Sequence, residues 1–126
     1  MVMAFIFDNP NPNGNIVGDC AVRAVATACG ISWDDAYTGL CDMGYYMKDM
    51  PNADRVWGAF LKTMGFVRST GCPECYTVRE FAEDHPRGVY VIGTGNHVVA
   101  VVNGSYFDTW DSGDSTPIFY WQEVNL

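Results

Sequence analysis

The sequence contains three residues whose types and positions suit nucleophilic catalysis: Cys20, His97 and Asp108. Cys20 follows Gly18-Asp19 and opens the apolar run CAVRAVATAC, which predicts a helix that begins at the cysteine. The dipoles at a helix N-terminus stabilise a thiolate, and a nearby imidazolium would lower the thiol pKa further below its ordinary ~8.5. Cys20 is thus a candidate nucleophile, although each of the three residues taken alone also fits a structural role.

The positions of the candidate base and its orienting carboxylate follow from a predicted hairpin. Asn103-Gly104 separates two strand-like runs, HVVAVV and SYFDTW, and is typical of a two-residue hairpin turn. This turn pairs Val102 with Ser105 and makes His97 and Asp108 diagonal neighbours, with Asp111 on the opposite face. The shared face predicted by alternation carries six side chains: His97, Val99, Val101, Tyr106, Asp108 and Trp110.

Four helices are predicted ahead of these strands. The first runs from Cys20 to Cys29, with Asp19 as its N-terminal cap and Gly30 at its end. The second begins after Ser32, and the third, ADRVWGAFLKTMGF, has an apolar stripe. Thr77 and Glu80 form a capping-box pattern that opens the fourth. The predicted stripe of the third helix consists of Val56, Phe60, Leu61 and Met64.

Strand-like runs follow the helices, namely GVYVIG, HVVAVV, SYFDTW and PIFYW. This order predicts an α+β fold in which N-terminal helices pack on a C-terminal antiparallel sheet. The short segment Gly93-Thr94-Gly95 is expected to turn the backbone into His97. Without a repeat or a break in composition, residues 1–126 are expected to form a single domain.

Composition excludes several classes of partner. The 126 residues are 48% hydrophobic, enough for a core, and the formal net charge of −8 opposes binding to nucleic acid or to an anionic membrane. No apolar run approaches the roughly 20 residues of a membrane span. The N-terminal MVMAFIFDNPNPNG lacks the features of a signal peptide, so we expect a cytoplasmic protein with reduced cysteines.

A second candidate site is Cys72-Pro73-Glu74-Cys75. This motif supplies two of the four ligands of a structural zinc, so Cys29, Cys41 or His85 would have to complete the set. A thioredoxin-like role would require a preceding strand in a βαβ unit, whereas the motif stands between two predicted helices. A reduced pair of cysteines is the simplest reading, and we expect neither a metal nor a cofactor.

The local motifs resemble those of papain-like cysteine peptidases. Gly18-Asp19-Cys20 resembles their Gly-Ser-Cys helix start, and Asp108-Thr109-Trp110 resembles their Asn-Ser-Trp. Most of the chain also resembles small proteins of bacteriophages and phage-derived islands that carry Gly-Asp-Cys, His and Asp-Thr-Trp-Asp in this order. The resemblance implies a minimal papain-like fold, a Cys20, His97 and Asp108 triad with the His97–Asp108 contact shielded by Trp110, and a bacterial host cell.

The chain departs from the papain-like pattern at two positions. Gly14 stands six residues before Cys20, where the family has an oxyanion-binding glutamine, so Asn15 or Asn13 and the Cys20 backbone N–H are the candidate donors. The third triad member is Asp108 rather than asparagine, which would support a protonated imidazole more strongly.

The predicted function is hydrolysis of a peptide, isopeptide or side-chain amide bond in a peptide or protein substrate. An acyl transferase or a deamidase could use the same triad, because the fold does not choose the reaction. The alternative from another class is a non-catalytic acidic interaction protein on the same scaffold, for example an inhibitor of a host defence enzyme. A complete and exposed triad favours the enzyme, whereas a sealed Cys20 favours the binder.

Overall fold

The computed structural model describes residues 4–71 and 76–124 of the chain. The helices there are α1 (Cys20–Cys29), α2 (Trp33–Met47), α3 (Asp54–Thr63) and α4 (Val78–Asp84). The strands are β1 (Phe5–Phe7), β2 (Phe66–Ser69), β3 (Val89–Gly93), β4 (Val98–Val102), β5 (Ser105–Asp108) and β6 (Phe119–Glu123). Within these two described stretches, no helix has the length and apolar character needed to span a membrane.

The six strands form one sheet in the order β1-β5-β4-β3-β6-β2. The α+β class is therefore confirmed, but the sheet is mixed rather than antiparallel, because β1 pairs with β5 in parallel. The prediction of helices first and strands second is also wrong, since β1 precedes α1 and β2 lies between α3 and α4. Both additional strands are short edge strands, and segments of three or four residues give little periodicity to detect.

The sheet is covered by helices on both faces. Val98 and Ala100 of β4 belong to one hydrophobic core, to which α1 contributes Val25. Val99 and Val101, which alternate with them, belong to a second core that includes residues of α4. Strand β4 is consequently buried on both faces, between β5 and β3 in the middle of the sheet.

Helix α1 begins at Cys20, ends at Cys29 and is followed by Gly30, as predicted. Gly30 adopts a left-handed conformation with a φ of 66°, and its N–H bonds to the Ala26 carbonyl. The prediction for Asp19 is wrong in one respect. Asp19 occupies the cap position, but its side chain caps no backbone N–H and instead binds the side chains of Arg23 and Trp33.

The other predicted helix signals are largely confirmed. The Ser32 hydroxyl accepts the Asp35 N–H at 3.0 Å, and Thr77 and Glu80 form the predicted capping box. In α3, Leu61 is fully buried, but Met64 follows the last helical residue and is 40% exposed. Met64 is therefore wrongly placed on the buried stripe, because the helix ends one residue before it.

The hairpin between β4 and β5 has the predicted register, with Val102 opposite Ser105 and Val101 opposite Tyr106. Asn103 and Gly104 have φ values of 49° and 85°, and two positive φ values in succession are those of the tight turn that Asn-Gly favours. The turn thus fixes which residues of the two strands lie close together at the far end of the hairpin.

Candidate active site

Cys20 stands at the first position of α1 and is half-buried. Its thiol and the His97 imidazole share a hydrogen bond, and the Val98 backbone N–H also bonds to the sulfur. The remaining residues of α1 are small or apolar on nearly every side, which anchors the helix against the sheet. The nucleophile candidate is therefore held by a buried helix but is not sealed within the core.

His97 is positioned by the turn that leads into β4. The Thr94 backbone N–H and hydroxyl donate to the His97 carbonyl at 2.9 and 3.2 Å. Gly95 has a φ of 97°, a conformation that glycine adopts without steric cost. The short Gly-Thr-Gly segment therefore turns the chain into His97 as predicted, and the histidine side chain is 11% exposed.

Asp108 is the last residue of β5, and its side chain is 1% exposed. Its Oδ2 lies 2.6 Å from Nε2 of His97 and accepts the Ser112 hydroxyl at 2.6 Å. Its Oδ1 accepts Nη1 of Arg23 at 2.8 Å and the Thr109 N–H at 2.9 Å. Because Nε2 of His97 is occupied by Asp108, Nδ1 is the ring nitrogen available to the Cys20 thiol.

The pKa values of these three groups are set by burial and by the contacts that they make with one another and with neighbouring side chains. Burial alone would raise the pKa of Cys20, but the hydrogen bond and charge of His97 outweigh it and lower that pKa. Burial would lower the pKa of His97, but Asp108 and Cys20 raise it to about 9. Burial would likewise raise the pKa of Asp108, but His97, Ser112 and Arg23 hold it at about 2. The arrangement therefore favours a thiolate–imidazolium pair backed by a carboxylate.

The side chains of His97 and Asp108 contact a helix on the face of the sheet opposite to the one predicted for them. Alternation assigns both to the face of Val99 and Tyr106, which packs against α4, whereas His97 and Asp108 contact Cys20 and Arg23 of α1. The physical reason is their place at the strand ends. His97 precedes β4, and Asp108 lies beyond the last pair of the hairpin ladder. The predicted contact between the two side chains is present, but the predicted common face does not extend to them.

Trp110 and Asp111 follow Asp108 in the chain and make different contacts. The Trp110 ring centroid is 4.9 Å from that of His97, and Trp110 remains 50% exposed. Asp111 instead accepts the Tyr106 hydroxyl and pairs with Arg79 of α4. Asp108 rather than Asp111 is therefore the partner of His97, as the hairpin register predicts.

Arg23 is a member of the site that the sequence reasoning did not assign. Its guanidinium joins Asp108 to Asp19 with two ion pairs of 2.8 Å, and Arg23 as a whole is 7% exposed. Trp33 of α2 donates its indole N–H to the other oxygen of Asp19 at 2.9 Å. A signal was present in the sequence, because a charged residue inside an otherwise apolar helix must find a partner.

The candidate oxyanion donors lie in the exposed segment before Cys20. Asn15 lines a groove of about 400 Å³ that also reaches Gly18 and Asp19 and is walled by Trp33 and Tyr37. Asn13 is exposed, and its backbone N–H donates to Asn11. Because Cys20 opens α1, its own N–H has no acceptor within the helix. The groove places Asn15 beside the residues that precede Cys20, and Asn13 is not among the groove residues.

The other described cysteines have different surroundings. Cys29, at the far end of α1, has its pKa raised to about 11 by burial and by the charge of Glu123. Cys20, Cys29 and Cys41 are all free thiols. Cys72 and Cys75 lie outside the described residues, and in the described part of the chain no group of three His, Cys, Asp or Glu side chains is arranged to hold a metal ion.

The site combines a thiol, an imidazole hydrogen-bonded to it, and a buried carboxylate that contacts the imidazole. This combination suits attack on an acyl carbon followed by protonation of the leaving group. Comparisons of the chain with protein-family models, with curated proteins and with solved structures find no match.

Proposed function

We propose that this protein is a small cysteine hydrolase of papain-like architecture, with Cys20 as nucleophile, His97 as general acid and base, and Asp108 as the residue that orients His97. The observation that carries the proposal is the position of His97, which bonds to Cys20 and lies 2.6 Å from the Asp108 carboxylate. Three separate elements, α1, the turn before β4 and the end of β5, converge on this contact.

The reaction begins with attack of the Cys20 thiolate on the carbonyl carbon of an amide. The resulting oxyanion is stabilised by the Cys20 backbone N–H and by Asn15. As the C–N bond breaks, protonated His97 gives its proton to the leaving amine, and a thioester remains on Cys20. His97, now neutral, takes a proton from water, and the hydroxide adds to the thioester. Collapse of this second intermediate releases the carboxylic acid and returns the thiolate.

The nature of the groove supports a peptide or protein substrate. It lies beside Gly18 and Asp19, and its walls combine the aromatic rings of Trp33 and Tyr37 with the amides of asparagines. Trp33 and Tyr37 stack with centroids 4.9 Å apart, which gives a flat apolar wall. An extended peptide could therefore place an apolar side chain on this wall and its carbonyl at Cys20.

The papain-like assignment is supported by the arrangement of elements around the thiol. A buried helix begins at Cys20 and packs on the sheet, in which β4 directly follows His97 and β5 ends at Asp108. The Gly-Asp-Cys and Asp-Thr-Trp motifs point in the same direction, and they alone support a relationship to phage-encoded proteins.

Selective alkylation tests the proposal. The native protein is treated with a limiting amount of iodoacetamide at mildly acidic pH and its cysteines are mapped by mass spectrometry. We expect Cys20 to carry most of the label, because an ordinary thiol is protonated there, and Cys29 to remain unlabelled. His97→Ala should reduce labelling of Cys20 to the level of Cys41.

A second measurement follows the reaction itself, with quenched fluorescent peptides as substrates and Cys20→Ala as the inactive control. Labelling of Cys20 no faster than that of Cys41 would contradict a primed nucleophile. The non-catalytic interaction protein would then be the better interpretation of the scaffold.

A further inference from the structure

Arg23 lies on the same helix as Cys20, the candidate nucleophile, and contacts Asp108, the candidate orienting carboxylate. It lies three residues after Cys20, so both side chains leave α1 on neighbouring positions of the same side. From there its guanidinium reaches Oδ1 of Asp108 at 2.8 Å, while Oδ2 faces His97 at 2.6 Å. The two oxygens of Asp108 are thereby divided between Arg23 and His97.

A second aspartate holds Arg23 in place. Asp19 Oδ1 accepts Nε of Arg23 at 2.8 Å, and Asp19 Oδ2 accepts the Trp33 indole N–H at 2.9 Å. Both ends of this chain of contacts are buried, since Asp19 is 8% and Asp108 is 1% exposed. A guanidinium suits this place because its planar array of donors can serve two carboxylates at fixed geometry.

We propose that Arg23 is a positioning residue for the proposed active site, which holds the Asp108 carboxylate charged and oriented toward His97 and is itself fixed by Asp19 and Trp33. This inference rests on the proposed function. It adds a fourth residue to the site and explains how an aspartate can occupy the position where the papain-like family has a neutral asparagine.

The charges around the site indicate whether Arg23 favours or disfavours the Cys20 thiolate. Five titratable or charged groups interact here. They are Cys20 and Arg23 of α1, Asp19 just before α1, His97 just before β4, and Asp108 of β5. With a thiolate and an imidazolium present, the two aspartates and the thiolate face only two positive groups. Removal of Arg23 would leave one cation among three anions, which disfavours the thiolate. Arg23 therefore acts on the nucleophile through charge as well as through Asp108.

The test is the pH dependence of Cys20 alkylation in the wild type, Arg23→Gln and Arg23→Lys. Arg55→Gln is the matched control, because Arg55 of α3 pairs with Asp49 outside the site and its loss changes net charge equally. We expect the acidic midpoint to rise in Arg23→Gln, with labelling at mildly acidic pH about tenfold slower. The rise should be smaller in Arg23→Lys, which keeps the charge but not the fork, and absent in Arg55→Gln.

A purely structural role would lower the thermal midpoint without moving the pH profile of the folded protein. An unchanged profile in Arg23→Gln therefore overturns the proposal, and where that variant does not fold, an unchanged profile in Arg23→Lys does so. His97→Ala separates the two claims. If the pH profile shifts in His97→Ala but not in the Arg23 variants, only the role of Arg23 is rejected. If the profile does not shift in His97→Ala either, the proposed function is rejected as well.

Discussion

The Asp108 carboxylate lies 2.6 Å from Nε2 of His97 and is nearly excluded from solvent, with 1% of its side chain exposed. Four hydrogen-bond donors surround it, from His97, Ser112, Arg23 and the Thr109 backbone. Both oxygens accept, so the site is built for a carboxylate rather than for an amide.

Asp108→Asn should therefore destabilise the protein as well as weaken the site. An amide carries no charge, so the buried guanidinium of Arg23 loses one of its two charged partners, at a cost of about 3 kcal/mol. Urea unfolding measures this loss. In the double variant Arg23→Met with Asp108→Asn the two losses should not add, because each single variant already breaks the same ion pair. A double variant as unstable as the sum of its parts would show that the pair is not coupled.

Stability should also depend on the protonation of His97. Its pKa is raised from 6.5 to about 9 in the folded protein, so the imidazolium contributes stability that is fully present below 6.5. That contribution should be lost as the pH rises through about 9. Urea unfolding at a series of pH values checks this, and His97→Ala should lack this slope. An equally steep decline in His97→Ala would assign the loss to other groups.

Gly95→Ala should disturb the turn that delivers His97. Gly95 has a φ of 97°, and an added Cβ would meet Ile118 at 3.1 Å, so we expect a loss of about 1–2 kcal/mol and slower alkylation of Cys20. Gly71→Ala is the control, because its φ is ordinary and its nearest neighbour would be 3.7 Å away. If Gly95→Ala is destabilised but the reactivity of Cys20 is unchanged, the turn does not control the position of His97.

Asn15→Ala should weaken binding of a peptide aldehyde, which forms a tetrahedral adduct with the thiol, about tenfold or more. It should leave alkylation of Cys20 unchanged, since alkylation develops no oxyanion. Asn13→Ala serves as the comparison because Asn13 does not line the groove. Equal aldehyde affinity in the wild type and Asn15→Ala would leave the Cys20 backbone N–H as the principal donor.

Local signals in the sequence were enough to predict α1, the hairpin and the His97–Asp108 contact. The Asn-Gly turn determines a register, and the register carries two residues of fixed spacing to the same place. The strands at the sheet edges were missed because β1 is three residues long and is stabilised by β5, a partner distant in sequence. Arg23 is a charged residue within an apolar helix, but its partner Asp108 lies 85 residues away, and only the fold brings the two together.

The burial of β4 on both faces divides the site into parts of different local stability. Amide protons of this central strand should exchange with solvent only when the whole domain opens, and His97 is covalently attached to its first residue. The segment from 12 to 18, which carries Asn15, is exposed throughout, so its amides should exchange by local openings of low free energy. The groove can thus change its shape while the contact between His97 and Asp108 keeps its geometry.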